Sequence, residues 1–129
     1  RVRSPKQTPE WEFEMAAKAG FYRLKLGIES GSDKVRKHIG KNETNHDIYY
    51  TLEMCKKYNM VITLLLIIGY PTETSADFKD TMDMLEEIKA RNLDTVVEKI
   101  VINELYISQN TGLMEQVDIL DIHDVGNTA

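Results

Sequence analysis

Gly27-Ile28-Glu29-Ser30-Gly31 closes an apolar run and opens a helix-forming stretch, and about forty residues later Gly69-Tyr70-Pro71-Thr72-Glu73-Thr74 does the same. In α/β proteins, ligands gather outside the carboxyl ends of parallel strands, where turns and helix N-termini leave backbone N–H groups free. Two glycine-marked, carboxylate-bearing turns of this kind predict a β/α repeat and also the edge at which it binds something.

Working outward from the first turn, Phe21 to Ile28 alternates. Tyr22, Leu24, Leu26 and Ile28 share one phase, and Arg23, Lys25, Gly27 and Glu29 share the other, which is the period of a strand. Upstream, Thr8-Pro9-Glu10 reads as a helix start with Thr8 as N-cap and Pro9 at the first helical position; the helix runs to about Ala19 and stops at Gly20. Downstream, Ser32 and Asp33 cap a helical stretch containing Val35 and Ile39, and Gly40-Lys41-Asn42 breaks it. Thr44 with Asp47 then starts a helix carrying Ile48, Leu52 and Cys55 at helical spacing. Val61 to Ile68 is apolar on both phases except at Thr63, as in a strand buried on both faces.

Thr74 or Ser75 caps the next helix, in which Phe78, Met82, Leu85 and Ile88 form an apolar stripe that ends near Asn92. A third strand, roughly Val97 to Ile107, precedes a weakly patterned stretch from Ser108 onward. Strands separated by helices in this way form right-handed βαβ units and a parallel sheet. Arg1-Val2-Arg3 reads as the end of a further strand.

A chain of 129 residues is one domain by length. Its 42% hydrophobic and 29% charged residues place it among soluble globular chains. The longest apolar run, Val61 to Ile68, is far shorter than the roughly 20 residues of a membrane span. A single cysteine, Cys55, excludes an internal disulfide, fits a reducing, cytoplasmic setting, and leaves this chain alone unable to ligate an iron–sulfur cluster or a thiolate zinc site. The net charge of −5 argues against nucleic acid as the main partner. The densest basic clusters, Lys34–Lys41 and Lys56-Lys57, read as solvated helix surface. His38, His46 and His123 lack metal-ligand spacing, and Met54, Met82, Met84 and Met114 read as core filler. Because the chain begins at Arg1 and not at Met, its natural beginning is expected upstream.

The charged phase of the first strand bears on sheet shape. In a flat sandwich covered on both faces, Arg23, Lys25 and Glu29 are costly to bury, whereas in a barrel wall they face a lumen able to hold a polar ligand. An edge strand with one wet face accounts for them as well. Glu29 stands where it can accept hydrogen bonds from a ribose or an ammonium group, and also where a helix dipole alone favours an acid. Gly31 reads as permitting a tight turn, and Glu73 and Thr74 as caps.

The order Ala19-Gly20, strand, Gly27-Ile28-Glu29-Ser30-Gly31-Ser32, helix with Ile39-Gly40-Lys41, and buried strand ending Ile68-Gly69-Tyr70-Pro71-Thr72-Glu73-Thr74 resembles the second half of a radical S-adenosylmethionine enzyme domain. It looks most like the branch whose members often carry an accessory N-terminal domain, such as a cobalamin-binding one. The resemblance covers roughly residues 1–112, with 113–129 as a terminal helix or tail. It implies an α/β fold in which parallel β/α units form part of a partial (β/α)6 TIM-like barrel.

It also implies S-adenosylmethionine and a [4Fe-4S] cluster as cofactors of the parent enzyme, with 5′-deoxyadenosyl-radical chemistry in the lumen. Glu29 and Ser30 match the position that contacts the ribose or methionine part of S-adenosylmethionine, and Ile68, Gly69 and Tyr70 match the segment along its adenine. Arg3, Lys25 and Asn103 become candidates for substrate contact in the lumen. The family's CxxxCxxC motif and its glycine-rich acidic turn are absent, and Ser108-Gln109-Asn110-Thr111-Gly112 replaces the expected Pro-x-Pro-Gly-Thr type of turn. The chain is therefore expected to be a fragment with no catalytic residue or metal ligand of its own, the cluster motif lying upstream. Two other readings stay open: a non-catalytic α/β module that pairs through its sheet edge, and a barrel enzyme acting on a phosphorylated sugar.

Overall fold

The computed structural model describes residues 4–107 and 111–116. In order these form α1 (Glu10–Lys18), β1 (Arg23–Glu29), α2 (Asp33–His38), α3 (Asn45–Lys57), β2 (Val61–Ile68), α4 (Ser75–Ala90) and β3 (Val97–Glu104), with single 3-10 turns at Asp94–Val96 and Met114–Gln116. The strand-like end at Arg1-Val2-Arg3 and the tail from 117 onward lie outside the described residues.

The strand order is β1-β2-β3, and both pairings are parallel. Each strand is added on the same side of the last. With right-handed crossovers, that order puts every connecting helix on one face; a doubly wound sheet would reverse and cover both. The core follows from it. Leu26, Ile28, Ile62, Leu64 and Leu66, all of one strand phase, pack with Phe13, Ile48, Leu52, Cys55, Met84 and Ile88 from the helices. Burying each of these aliphatic side chains contributes roughly 1.5–3 kcal/mol. The other phase faces no helix among the described residues, so Val61, Leu65 and Ile67 stay half-buried. The fold is a singly wound wall of parallel β/α units, consistent with part of a partial barrel.

The start signals at Thr44 and Thr74 form full capping boxes with Asp47 and Asp77, and Ser32 accepts from Val35 N at 3.3 Å. Five expectations are corrected. Helix α1 begins at Glu10 with Pro9 in the cap position (φ −67°, ψ 162°) and no side-chain cap, so Thr8 does not cap it. Strand β1 begins at Arg23, leaving Phe21 and Tyr22 exposed, and β3 ends at Glu104, not Ile107.

The stripe that α4 buries is Asp77, Thr81, Met84 and Ile88, while Phe78 and Met82 are exposed. The rotation has a steric cause: a Cβ on Gly31 would lie 2.4 Å from Thr81 Cα. Only a small side chain fits where α4 presses on that turn, so Thr81 faces inward and Phe78 cannot. Finally, the Lys34–Lys41 cluster is not solvated surface throughout, because Arg36 is 1% exposed.

Candidate cofactor site at the strand ends

The turn after β1 is strained and firmly held. Glu29 has φ +69°, in the left-handed region that costs a non-glycine residue about 1–2 kcal/mol. A register shift between Gly27 and Glu29 accompanies it. The conformation folds the Glu29 carboxylate back over Gly27, where a Cβ would lie 2.7 Å from Glu29 Oε1 and 3.1 Å from Lys41 Nζ. Lys41 Nζ donates to Glu29 Oε1 at 2.8 Å and to the Gly27 carbonyl at 2.5 Å. A carboxylate and an ammonium therefore stand together on the helix-free face, in space that any residue but glycine would fill.

Side chains from three helices hold this turn. Arg36 donates through Nη1 to the Ser30 carbonyl and to Asn45 Oδ1, both at 2.7 Å, and pairs through Nη2 with Asp33. Gly31 N donates to Thr81 Oγ1 at 2.9 Å, and Ser32 Oγ donates to Asp77 Oδ1 at 2.7 Å. Lys34 beside Asp77, then the Thr74 and Ser32 donors, hold the Asp77 carboxyl well below the usual carboxylate range.

The turn after β2 lies at the same edge. Gly69 has φ +82° with open space where a side chain would stand, and its N–H donates to Glu73 Oε2 at 2.8 Å. Glu73 thus ties the turn together, while Thr74 alone caps the helix. Tyr70 is buried, its hydroxyl donates to the His38 carbonyl at 3.3 Å, and burial pushes its phenol pKa up.

Glu29, Gly69 and Tyr70 therefore share the carboxyl edge of the sheet. Asn103 is exposed and paired in register with Ile67 near that edge. Lys25 is exposed four residues before Glu29, and Ile68 is half-buried. Ser30 is fully buried: its Oγ lies 3.3 Å from Thr81 Oγ1 and accepts from Ser32 N at 3.1 Å. Arg3 lies outside the described residues. Lys41 and Arg36 were missed, because a lysine in a glycine break and an arginine on a short helix both look like surface; only the fold sends them back to the turn.

Among the described residues no three of His, Cys, Asp or Glu come together to hold a metal. The Cys55 thiol, buried at the α3 core, is pushed up to about 12 by desolvation. The arrangement does not fit an iron–sulfur cluster. It does offer what a polar zwitterionic cofactor needs, namely an acceptor, a cation and open space over Gly69 on one edge. A cleft of about 670 Å³, lined by Asp33, Asp77, Asp80, Asp83 and Glu87, lies on the helical side and not on this face.

Wall and edge together are those of a partial β/α barrel, with polar groups gathered at its strand ends. The chain matches the radical SAM superfamily over residues 3–85 and belongs to that superfamily. Members of the family use S-adenosylmethionine and a [4Fe-4S] cluster. Curated relatives include tRNA-2-methylthio-N(6)-dimethylallyladenosine synthases. That of Ruegeria pomeroyi is 32% identical over 68 residues, covering 51% of this chain and 16% of the relative. That of Christiangramia forsetii is 34% identical over 68 residues (51% and 14%), and that of a Sulfurovum species 33% over 76 residues (55% and 17%). The chain thus spans about a sixth of the length of these relatives. Among the described residues, no helix is long and apolar enough to cross a membrane.

Proposed function

We propose that this chain is part of the barrel wall of a radical S-adenosylmethionine enzyme and contributes the ribose, methionine and adenine contacts of the cofactor. The observation that carries the reading is the Glu29–Lys41 pair set over Gly27 at the strand ends. In this reading the Glu29 carboxylate accepts from the ribose hydroxyls or the ammonium group, and the Lys41 ammonium holds the carboxylate. Ile68, Gly69 and Tyr70 lie along the adenine, with open space over Gly69, while Ser30 holds the turn, since its hydroxyl and its carbonyl are both committed internally. When bound together, S-adenosylmethionine and the reduced cluster supply 5′-deoxyadenosyl-radical chemistry. This chain's residues bind and orient the cofactor and line the lumen.

The cluster ligands belong to a part of the enzyme upstream of these residues, and a cytoplasmic setting goes with the reading because labile clusters and unpaired thiols persist in reducing compartments. Methylthio transfer to tRNA is the chemistry named for the relatives. A match over about a sixth of their length supports the cofactor wall and not their substrate.

The test is S-adenosylmethionine binding to the full-length, anaerobically reconstituted protein, measured by equilibrium dialysis. A charge-assisted hydrogen bond contributes about 1.5–3 kcal/mol, so Glu29→Gln or Lys41→Met should weaken binding about ten- to a hundredfold. Lys37→Met, on the exposed side of α2, should leave it unchanged. Full affinity in both site variants would refute the assignment.

A further inference from the structure

The helix-free face carries its charges in layers. Near the amino ends of the strands Arg23 Nη2 donates to Glu98 Oε1 at 2.7 Å, a neutral pair that reaches across β2. At the carboxyl ends Lys41 and Glu29 neutralise each other. Between them, Lys25 and Lys99 both pair in register with Thr63, one from each side. The three side chains form one row across the sheet.

Both lysines are exposed, and neither has an ion pair or hydrogen bond among the described residues, whereas Thr63 between them is 7% exposed. The whole chain carries −5, so two ammonium groups without an ion pair among the described residues are a local feature and not its general charge. Strands lie about 4.8 Å apart, so each four-carbon lysine stem has only about 5 Å to cross to meet above Thr63. Enclosing two such cations in a lumen is unfavourable unless an anion joins them.

We propose that Lys25, Thr63 and Lys99 form a subsite for a doubly charged oxyanion of the substrate, a phosphate monoester or a dicarboxylate. The subsite lies deeper in the barrel than the cofactor wall. The inference rests on the reading above that this face is the lumen of a radical S-adenosylmethionine enzyme, and it adds the substrate's charge. Lys25 and Lys99 are the two cations, and the Thr63 hydroxyl is the donor between them.

The experiment is lysine footprinting by acetic anhydride, read by mass spectrometry, on the full-length protein at pH 8 and constant ionic strength. Inorganic phosphate and succinate are the two probes. With either probe at about ten times its dissociation constant, labelling of Lys25 and Lys99 should fall about tenfold while Lys37 is unchanged. Lys25→Met should abolish the protection at Lys99, and Lys99→Met that at Lys25; if either variant fails to fold, the native footprint alone decides. Protection by phosphate only assigns a phosphate monoester, and by succinate only a dicarboxylate. The proposal is overturned if neither probe protects, if Lys37 is protected equally, or if both lysines are inert without probe because carboxylates elsewhere in the barrel neutralise them. S-adenosylmethionine binding is measured in parallel. Its failure alone counts against the cofactor assignment and leaves the anion result standing.

Discussion

Replacing Gly31 by alanine tests the contact on which the turn after β1 is built. Gly31 does not have a left-handed φ, so its need for glycine is one of space. An alanine Cβ would lie 2.4 Å from Thr81 Cα, 2.6 Å from the Asp80 carbonyl oxygen and 2.8 Å from Thr81 N, all backbone atoms of α4. Ordinary carbon–carbon contact begins near about 3.5 Å, so α4 must retreat by about 1 Å. That retreat carries the Gly31 N to Thr81 Oγ1 bond from 2.9 Å beyond hydrogen-bonding range. Overpacking of this kind costs about 1–3 kcal/mol, and a buried donor left unpaired costs a similar amount. The sum, roughly 2–6 kcal/mol, is a large part of the roughly 5–15 kcal/mol by which a domain is stable.

Gly20→Ala is the control. It has φ +93° and nothing within 4 Å of the added Cβ, so it should cost only the backbone strain, about 1–2 kcal/mol. Urea titration of each variant, read as a shift in midpoint at constant slope, measures both. The reasoning fails if Gly31→Ala is within about 0.5 kcal/mol of the parent or costs less than Gly20→Ala.

Two further outcomes follow from the ionisable groups. The folded-state pKa of Asp77 is depressed, chiefly by Lys34. Its contribution is therefore present above the unfolded carboxylate value of about 3.9 and is lost as pH falls through that value toward its lower folded one. Asp77→Asn should flatten the acid limb of the stability–pH curve between about pH 4 and pH 2, and an unchanged limb would remove Asp77 from the account. Because burial pushes the Cys55 thiol up to about 12, iodoacetamide at pH 8 should alkylate it only through unfolding. Reaction of native protein at the rate of an unstructured cysteine peptide would contradict its burial.

Much of the fold was legible because its signals are local. The Val61–Ile68 strand, the capping box at Thr44, the Thr74 cap and the Ser32 cap depend on neighbours in sequence and appear where the pattern placed them. What the pattern could not supply was set by partners distant in sequence. The face that α4 buries was decided by Gly31, fifty residues upstream of Thr81, and a hydrophobicity count naturally preferred Phe78 and Met82. Arg36 looked solvated, yet the Ser30 carbonyl and Asn45 enclose it. Glu29 was picked out for its position after a strand, but its φ of +69° and its pairing with Lys41 exist only in three dimensions. The Glu73 contact to Gly69 N resembles a capping acid in sequence and differs only in which N–H it reaches.

The two parts of the helix-free face differ in how firmly they are held, and that difference bears on how each would bind. A positive φ at Glu29 persists only where its surroundings over-determine it. Here Arg36 on the Ser30 carbonyl, Thr81 on Gly31 N and Lys41 on the carboxylate itself all do so. Binding at that edge would therefore cost little further ordering, which suits the cofactor contact proposed for it. Lys25 and Lys99 have no such supports among the described residues; their stems are exposed and keep their rotamer freedom. An anion drawing them together must supply that ordering itself, at about 0.5–1.5 kcal/mol for each side chain. On the proposed reading, a rigid edge suits a constant cofactor, and a yielding row suits a substrate that the remainder of the lumen would help to select.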